Sequence, residues 1–182
     1  MKKTMIAALA LFSAVTLNAQ KYLTKNATVS FTSKAPMETI EGTNKTTTAV
    51  IDSKTGAIAF AVVIKGFVFE KQLMQQHFNE NYMESDKFPK SEFKGSITNN
   101  ATVKYTTDGS YNVTVSGKLT IHGVTKDATA SGKVTVAGGK VSATSEFNVT
   151  LADYNVNIPS VVKDKISKTV KISVNTGNMD KL

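Results

Sequence analysis

The chain has no cysteine, no tryptophan and no arginine, and only 3 prolines in 182 residues. Without cysteine there is no disulfide framework, thiolate metal site, cysteine nucleophile or lipidated N-terminal cysteine. Without arginine the bidentate fork that suits phosphate groups is missing, because all 22 basic residues are lysines. They outnumber the 14 acids and give a formal charge of +8. The lysines stand singly with acids between them, as at Lys118, Lys126, Asp127, Lys133, Lys140 and Glu146. A nucleic-acid site would interleave aromatic side chains for stacking. Scattered lysines read instead as a solvated face that discourages edge pairing, so no nucleic acid is expected. At 41% hydrophobic and 20% charged, the chain is neither disordered nor a polytopic membrane protein. Its length suits one domain with a real core.

Long apolar runs are scarce too. The one at residues 5–17 follows Lys2 and Lys3 and is shorter than the ~20 residues a spanning helix needs. It ends at Asn18-Ala19-Gln20, where Ala19 is a small residue suited to cleavage. Residues 1–19 therefore read as a secretory signal peptide, and residues 20–182 as the working domain, periplasmic or secreted.

What remains is dominated by period-two alternation. Over 111–122, Val113, Val115, Gly117, Leu119 and Ile121 fall on one face, against Asn112, Thr114, Ser116, Lys118, Thr120 and His122. The pattern returns at Ala128, Ala130, Gly132, Val134 and Val136, at Val141, Ala143, Ser145, Phe147, Val149 and Leu151, at Val170, Ile172 and Val174, and at Ala27, Val29 and Phe31. Such rows mark half-buried antiparallel strands. Asp108-Gly109 and Gly138-Gly139 read as tight hairpin turns, which need residues tolerating φ > 0. The fold class is all-β, a barrel or a sandwich. Polar outward faces exclude a transmembrane barrel. Inward residues are small, so a closed barrel would leave room for a ligand, whereas a sandwich could pack full.

One stretch departs from alternation. Residues 57–69 are apolar on both faces and read as one strand needing apolar cover on each side. The next segment offers a lid: Leu73, Met74, His77, Phe78 and Tyr82 share the face of a helix ending near Asn81, before Phe88-Pro89 forces an extended exit. Catalytic signals are thin. His77 and Glu80 stand at a chelating spacing, with Glu84 and Asp86 nearby, and His122 sits before Gly123 in a turn. No nucleophile elbow, phosphate loop, dinucleotide fingerprint or zinc-protease motif is present.

Two motifs carry a resemblance. Residues 77–93, from His77 through Ser85-Asp86 and Phe88-Pro89 to Phe93, and residues 117–126, Gly-Lys-Leu-Thr-Ile-His-Gly-Val-Thr-Lys, resemble the helix-to-strand and strand-turn signatures of the YceI-like family. Gln75-Gln76 and Asp127 depart from residues common in that family. The resemblance implies an extended lipocalin-like antiparallel barrel of about eight strands with one short helix. It also implies a long isoprenoid held inside, a polyprenyl lipid or quinone tail, with no further cofactor and no catalysis. The expected lining takes Phe31 from the first strand and Val62, Ile64 and Phe67 from the apolar stretch. The helix adds Met74, His77, Phe78 and Tyr82; Phe88 and Phe93 follow it. Val115, Leu119, Ala143, Phe147 and Ile172 come from the later strands. Lacking arginine, the chain suits a quinone or free alcohol better than a pyrophosphate head. A metal-dependent enzyme built on His77 and its neighbouring acids, and a structural or adhesive β-domain with a filled core, stay open. So do a transient membrane contact and the oligomeric state.

Overall fold

The computed structural model describes residues 20–182, and the export segment read in 1–19 lies outside them. The chain forms β1 (Lys21–Lys34), β2 (Thr39–Asp52), β3 (Ala57–Val63), α1 (Gln72–His77), β4 (Lys90–Ile97), β5 (Gly109–Ile121), β6 (Val124–Ala137), β7 (Lys140–Thr150), β8 (Thr169–Asn175) and β9 (Asp180–Lys181). Each of β1 to β8 pairs antiparallel with its sequence neighbour, and β8 returns to β1, closing an eight-stranded barrel. The short β9 adds to the start of β1, opposite Tyr22 and Leu23. The architecture is a barrel and not a sandwich.

The alternating rows point inward as their pattern requires. Two compensating irregularities adjust the β1–β2 ladder, between Thr24 and Ala27 and between Ala27 and Val29. The first gives β1 an extra residue, so Tyr22 and Thr24 are buried before it and Ala27 and Val29 after it. Gly95 and Gly117 face each other across β4 and β5. A Cβ on Gly117 would lie 2.4 Å from the Lys94 carbonyl oxygen, so the strands approach there as only glycine permits.

The end of the barrel carrying the β1–β2 hairpin, residues 64–89, the β5–β6 turn and residues 151–168 is its mouth; the opposite end is its floor. At the β5–β6 turn, His122 and Gly123 both take positive φ, 49° and 74°, as a two-residue hairpin requires. Gly138 and Gly139 do the same at the floor, at 55° and 76°. Asp108-Gly109 does not form the tight hairpin expected of it. Residues 98–108 cross the floor as a loop instead, and the Asp108 carboxylate accepts the Gly138 N–H at 3.0 Å. An Asp-Gly pair capping a neighbouring turn has the same composition as one making its own.

The 57–69 stretch is not one strand. The β3–β4 ladder ends at Val63↔Lys90, and the Ile64 N–H donates to the Pro89 carbonyl. Ile64–Gly66 then turns as a 3₁₀ helix, and Val68 bridges back to Thr43. Buried Asn44 fastens the break, donating from Nδ2 to the Val63 carbonyl at 2.8 Å. Nor is the stretch covered on both sides. Ile58 and Val62 face inward and are buried, whereas outward Ala57 and Val63 meet solvent. Small alanines make an outward row cheap to expose, which the run of apolar letters concealed.

Candidate ligand-binding site

A cavity of about 550 Å³ lies along the barrel interior, within the range of small-molecule sites. Its deep wall is Ile51, Ile58, Ile97, Val113 and Val134. Val115 and Ala143 beside that wall, and Phe31, Phe93, Phe147 and Ile172, also line it and are only half-buried although they point inward. A side chain in a closed barrel keeps accessible surface only where the space opposite it is not filled by protein. Val62, Ile64, Phe67 and Leu119 complete the apolar wall and are buried against neighbours.

The lid is built by the segment after the broken strand. α1 continues into a π turn over Phe78–Tyr82, closed by Met83 N–H donating to the Phe78 carbonyl at 2.9 Å. That turn aims Phe78 into a cluster of four rings. It stacks on Phe31 at 5.4 Å between centroids and meets Phe67 and Phe69 at 5.4 and 5.0 Å. Gly42 lies beneath: a Cβ there would fall 2.6 Å from the Phe31 ring. Met74, His77 and Tyr82 also line the cavity, with Met74 and Tyr82 half-buried and His77 exposed at the rim. Burial pushes the Tyr82 hydroxyl above its ordinary pKa, which keeps it a neutral donor. Leu73, read as part of the apolar face, stands in the first turn of the helix and is 61% exposed.

Phe88 is the expected lining residue that the structure places elsewhere. Its ring meets the His122 imidazole edge-on at 4.6 Å and lies where a Cβ on Gly123 would stand. The Phe-Pro pair thus fixes the exit of the lid onto the β5–β6 turn. His122 Nε2 donates to Glu84 Oε2 at 2.9 Å, tying the same two segments. The acids near His77 in the sequence have other partners here. Glu84 is held by His122, Asp86 by Lys65 at 2.6 Å and Glu80 by Gln76. Among the described residues no three His, Cys, Asp or Glu side chains gather as a metal site.

Polar lining is grouped. Ser33, Glu38, Lys71, His77 and Lys165 stand at the mouth. A second group, Thr129, Lys133, Thr144 and Ser145, marks a seam where β6 and β7 part. Their ladder stops at Gly132↔Ser145, beyond which residues 124–131 pair only with β5 and 146–150 only with β8. Ser145 Oγ donates to the Ser131 carbonyl at 2.7 Å at the parting, and Lys126 and Asp153 meet across it nearer the mouth, 3.3 Å apart.

Comparison with known proteins agrees with this geometry. The YceI-like domain matches residues 21–177. The chain belongs to the YceI-like domain family. Solved structures with the same fold include a polyisoprenoid binding domain from Saccharophagus degradans, with a TM-score of 0.74 at 14% identity, covering 85% of this chain and 95% of that one. BcnA of Burkholderia cenocepacia aligns with a TM-score of 0.67 at 19% identity, over 82% and 94%. The YCEI protein of Campylobacter jejuni gives 0.55 at 19%, over 76% and 84%. No curated protein matches the chain by sequence.

Several wall residues of this YceI-like barrel escaped the sequence reading. Ile51 lies beyond the β2 irregularity, which breaks the alternation that would have exposed it. Ile58, Phe60 and Phe69 sat in the stretch whose inward side could not be told from its outward one. Val162 and Ile166, in a loop with no period, had no signal to find.

Proposed function

We propose that the protein binds a long isoprenoid chain, a polyprenyl alcohol or quinone tail, in the barrel cavity and carries it outside the cytoplasm after export. The observation that carries this reading is the continuous apolar wall running from Val134 at depth to the Phe31–Phe78 ring cluster at the mouth. A branched hydrocarbon tail matches such a wall, and the polar rim offers Tyr82 and His77 to a hydroxyl or quinone oxygen. Each five-carbon unit contributes up to about 4 kcal/mol before ordering costs, at ~0.8 kcal/mol per buried CH₂. Affinity should therefore climb steeply with chain length until the cavity is full. The likeness to a polyisoprenoid binding domain supports the ligand class. Lys2, Lys3 and the apolar run at 5–17 support export, with Gln20 as the expected mature N-terminus. No residue set for catalysis enters this reading.

Organic extraction of protein purified from its native host, followed by mass spectrometry, tests it. A co-purifying isoprenoid is expected, together with uptake that strengthens from farnesol to longer prenols. A clean extract from protein that also takes up no prenol overturns the reading.

A further inference from the structure

Exposed apolar side chains are gathered at the mouth. Val161 is 87% exposed, Met37 70%, Val68 65% and Leu73 61%. Each sits on a segment that rims the cavity, whereas at the floor end only the terminal Leu182 is a comparably exposed large apolar residue among those described. The rim segments are fastened together. The Met37 N–H donates to the Asp164 carbonyl at 3.1 Å, the Ser167 N–H donates to Ser33 Oγ at 2.9 Å, and Lys71 pairs with Glu38 at 3.6 Å. Met37, Leu73 and Val161 therefore project from three linked segments around one opening, with Val162, Lys165, Lys71 and Leu73 in the cavity wall itself.

Charge is unevenly spread round this rim: the strip formed by Lys34 and residues 163–168 is mostly positive, whereas the lid segment carries Glu70 and Glu80 beside Lys71. Lys34, Lys163, Lys165 and Lys168 lie on the fastened segments, and among the described residues none pairs with a carboxylate. Asp164 is the single acid set among them, while Glu38 is taken by Lys71.

We propose that the mouth docks on the surface of an anionic phospholipid bilayer, with Met37, Leu73 and Val161 dipping below the head groups and the four free lysines contacting the phosphates. Isolated apolar tips beside a strip of unpaired lysines are the pattern of a peripheral membrane surface. A protein partner is the poorer match. Interface anchors are enriched in tryptophan, tyrosine and arginine, and the chain has no tryptophan or arginine at all. Lysine, a point charge without a fixed fork, suits a fluid layer of phosphates better than one shaped partner. The inference deepens the carrier reading and rests on it for what crosses the interface: docking would open the cavity directly onto the hydrocarbon.

The test uses the mature chain and unilamellar vesicles of phosphatidylcholine with or without phosphatidylglycerol. Co-sedimentation is expected with the anionic vesicles and should weaken with salt. Lys163→Gln with Lys165→Gln should reduce it by about tenfold or more. Met37→Asp with Val161→Asp should abolish it, while Leu182→Asp changes nothing. All these positions are exposed, and thermal unfolding checks that each variant is folded. Because the chain has no cysteine, a fluorophore on Val161→Cys or Leu182→Cys reports orientation independently. Brominated lipid should quench the first probe and spare the second. Failure to bind anionic vesicles, quenching at Leu182 instead, or indifference to the lysine substitutions overturns the proposal. Self-association through the same face without vesicle binding overturns it in favour of a protein partner. Uptake of farnesol in vesicle-free solution separates the two ideas. Farnesol uptake without docking removes only this inference, whereas docking without uptake leaves it standing and removes the carrier reading.

Discussion

The floor and the mouth of this barrel are built from the same strands with the same alternation, and they pack differently. At the floor, Tyr22, Ile51, Val134, Val136, Val141 and Met179 are each 2% exposed or less. One or two turns of the pleat higher, Phe31, Val115, Phe147 and Ile172 occupy equivalent inward rows and stay half-buried. The difference comes from outside the strands. Tyr105, on the loop over 98–108, lies over Tyr22 with ring centroids 5.9 Å apart, and Met179, from the segment after β8, seats against Val141. These plug one end. Among the described residues nothing equivalent fills the middle, and at the top the lid supplies rings that roof the cavity instead of filling it. Alternation therefore reports which way a side chain points; whether it meets another depends on segments that have no period at all.

The largest expected effect breaks this comparison directly. Met179→Ala deletes a fully packed plug residue and should cost about 2–5 kcal/mol of stability. Ile172→Ala removes a side chain that has partners on one side only, so ligand-free protein should lose less than about 2 kcal/mol while prenol affinity falls. Urea unfolding of both variants, with prenol uptake in parallel, reads the contrast. Equal losses would mean that the upper barrel is packed as tightly as the floor.

Adding volume sharpens the same contrast at smaller scale. Val136→Phe forces a ring into the filled end and should cost about 1–3 kcal/mol. Ala143 faces Val134 across the β6–β7 ladder but borders the cavity, so Ala143→Phe should be tolerated with little loss and should shorten the longest prenol that binds. Strong destabilisation by Ala143→Phe, with uptake unchanged, would show that the ring cannot reach the cavity.

These substitutions also mark how far the sequence carried. Strand rows such as Val113 to Ile121 or Val141 to Leu151 were legible because a period of two leaves one face for the core, and the lid was legible because Met74 and Phe78 stand one helical turn apart. The break at Ile64–Gly66 was not, since it depends on Asn44, about twenty positions earlier, accepting the role of ladder partner to Val63. Phe88 was misplaced for a related reason: an aromatic after a lid helix can face the cavity or the turn beside it. The contact with His122 and Gly123, more than thirty residues later, decides that. Family resemblance supplied the barrel; it could not supply the plug, whose Tyr105 and Met179 carry no pattern. Nor does β7 reveal the seam with β6, because Phe147 and Val149 keep its alternation through the stretch where the strands part; on β6 only Lys126, at an inward position, interrupts the row there.

The smallest expected effect lies at alkaline pH and is greatest at the floor. Burial, reinforced by Tyr22 and Asp52 nearby, pushes the Tyr105 phenol up to about 12, and its hydroxyl donates to Asn100 Oδ1 at 2.8 Å. A tyrosine in the unfolded chain loses its proton near pH 10. Below that value both states hold the proton, and Tyr105 adds nothing to the pH dependence. Between about pH 10 and about 12 the unfolded chain has released it while the native floor still holds it, so stability must fall across that window. Tyr105→Phe should flatten this loss, at the expense of a slightly lower stability near neutrality from the missing hydrogen bond. Denaturant midpoints of the ligand-free protein from pH 8 to 12 measure both. A mouth substitution, Tyr82→Phe, gives the control, since its rim hydroxyl is raised by burial but stands apart from the plug. If Tyr82→Phe flattens the alkaline slope as much as Tyr105→Phe does, the floor is no better sealed from water than the mouth, and the contrast between the two ends fails.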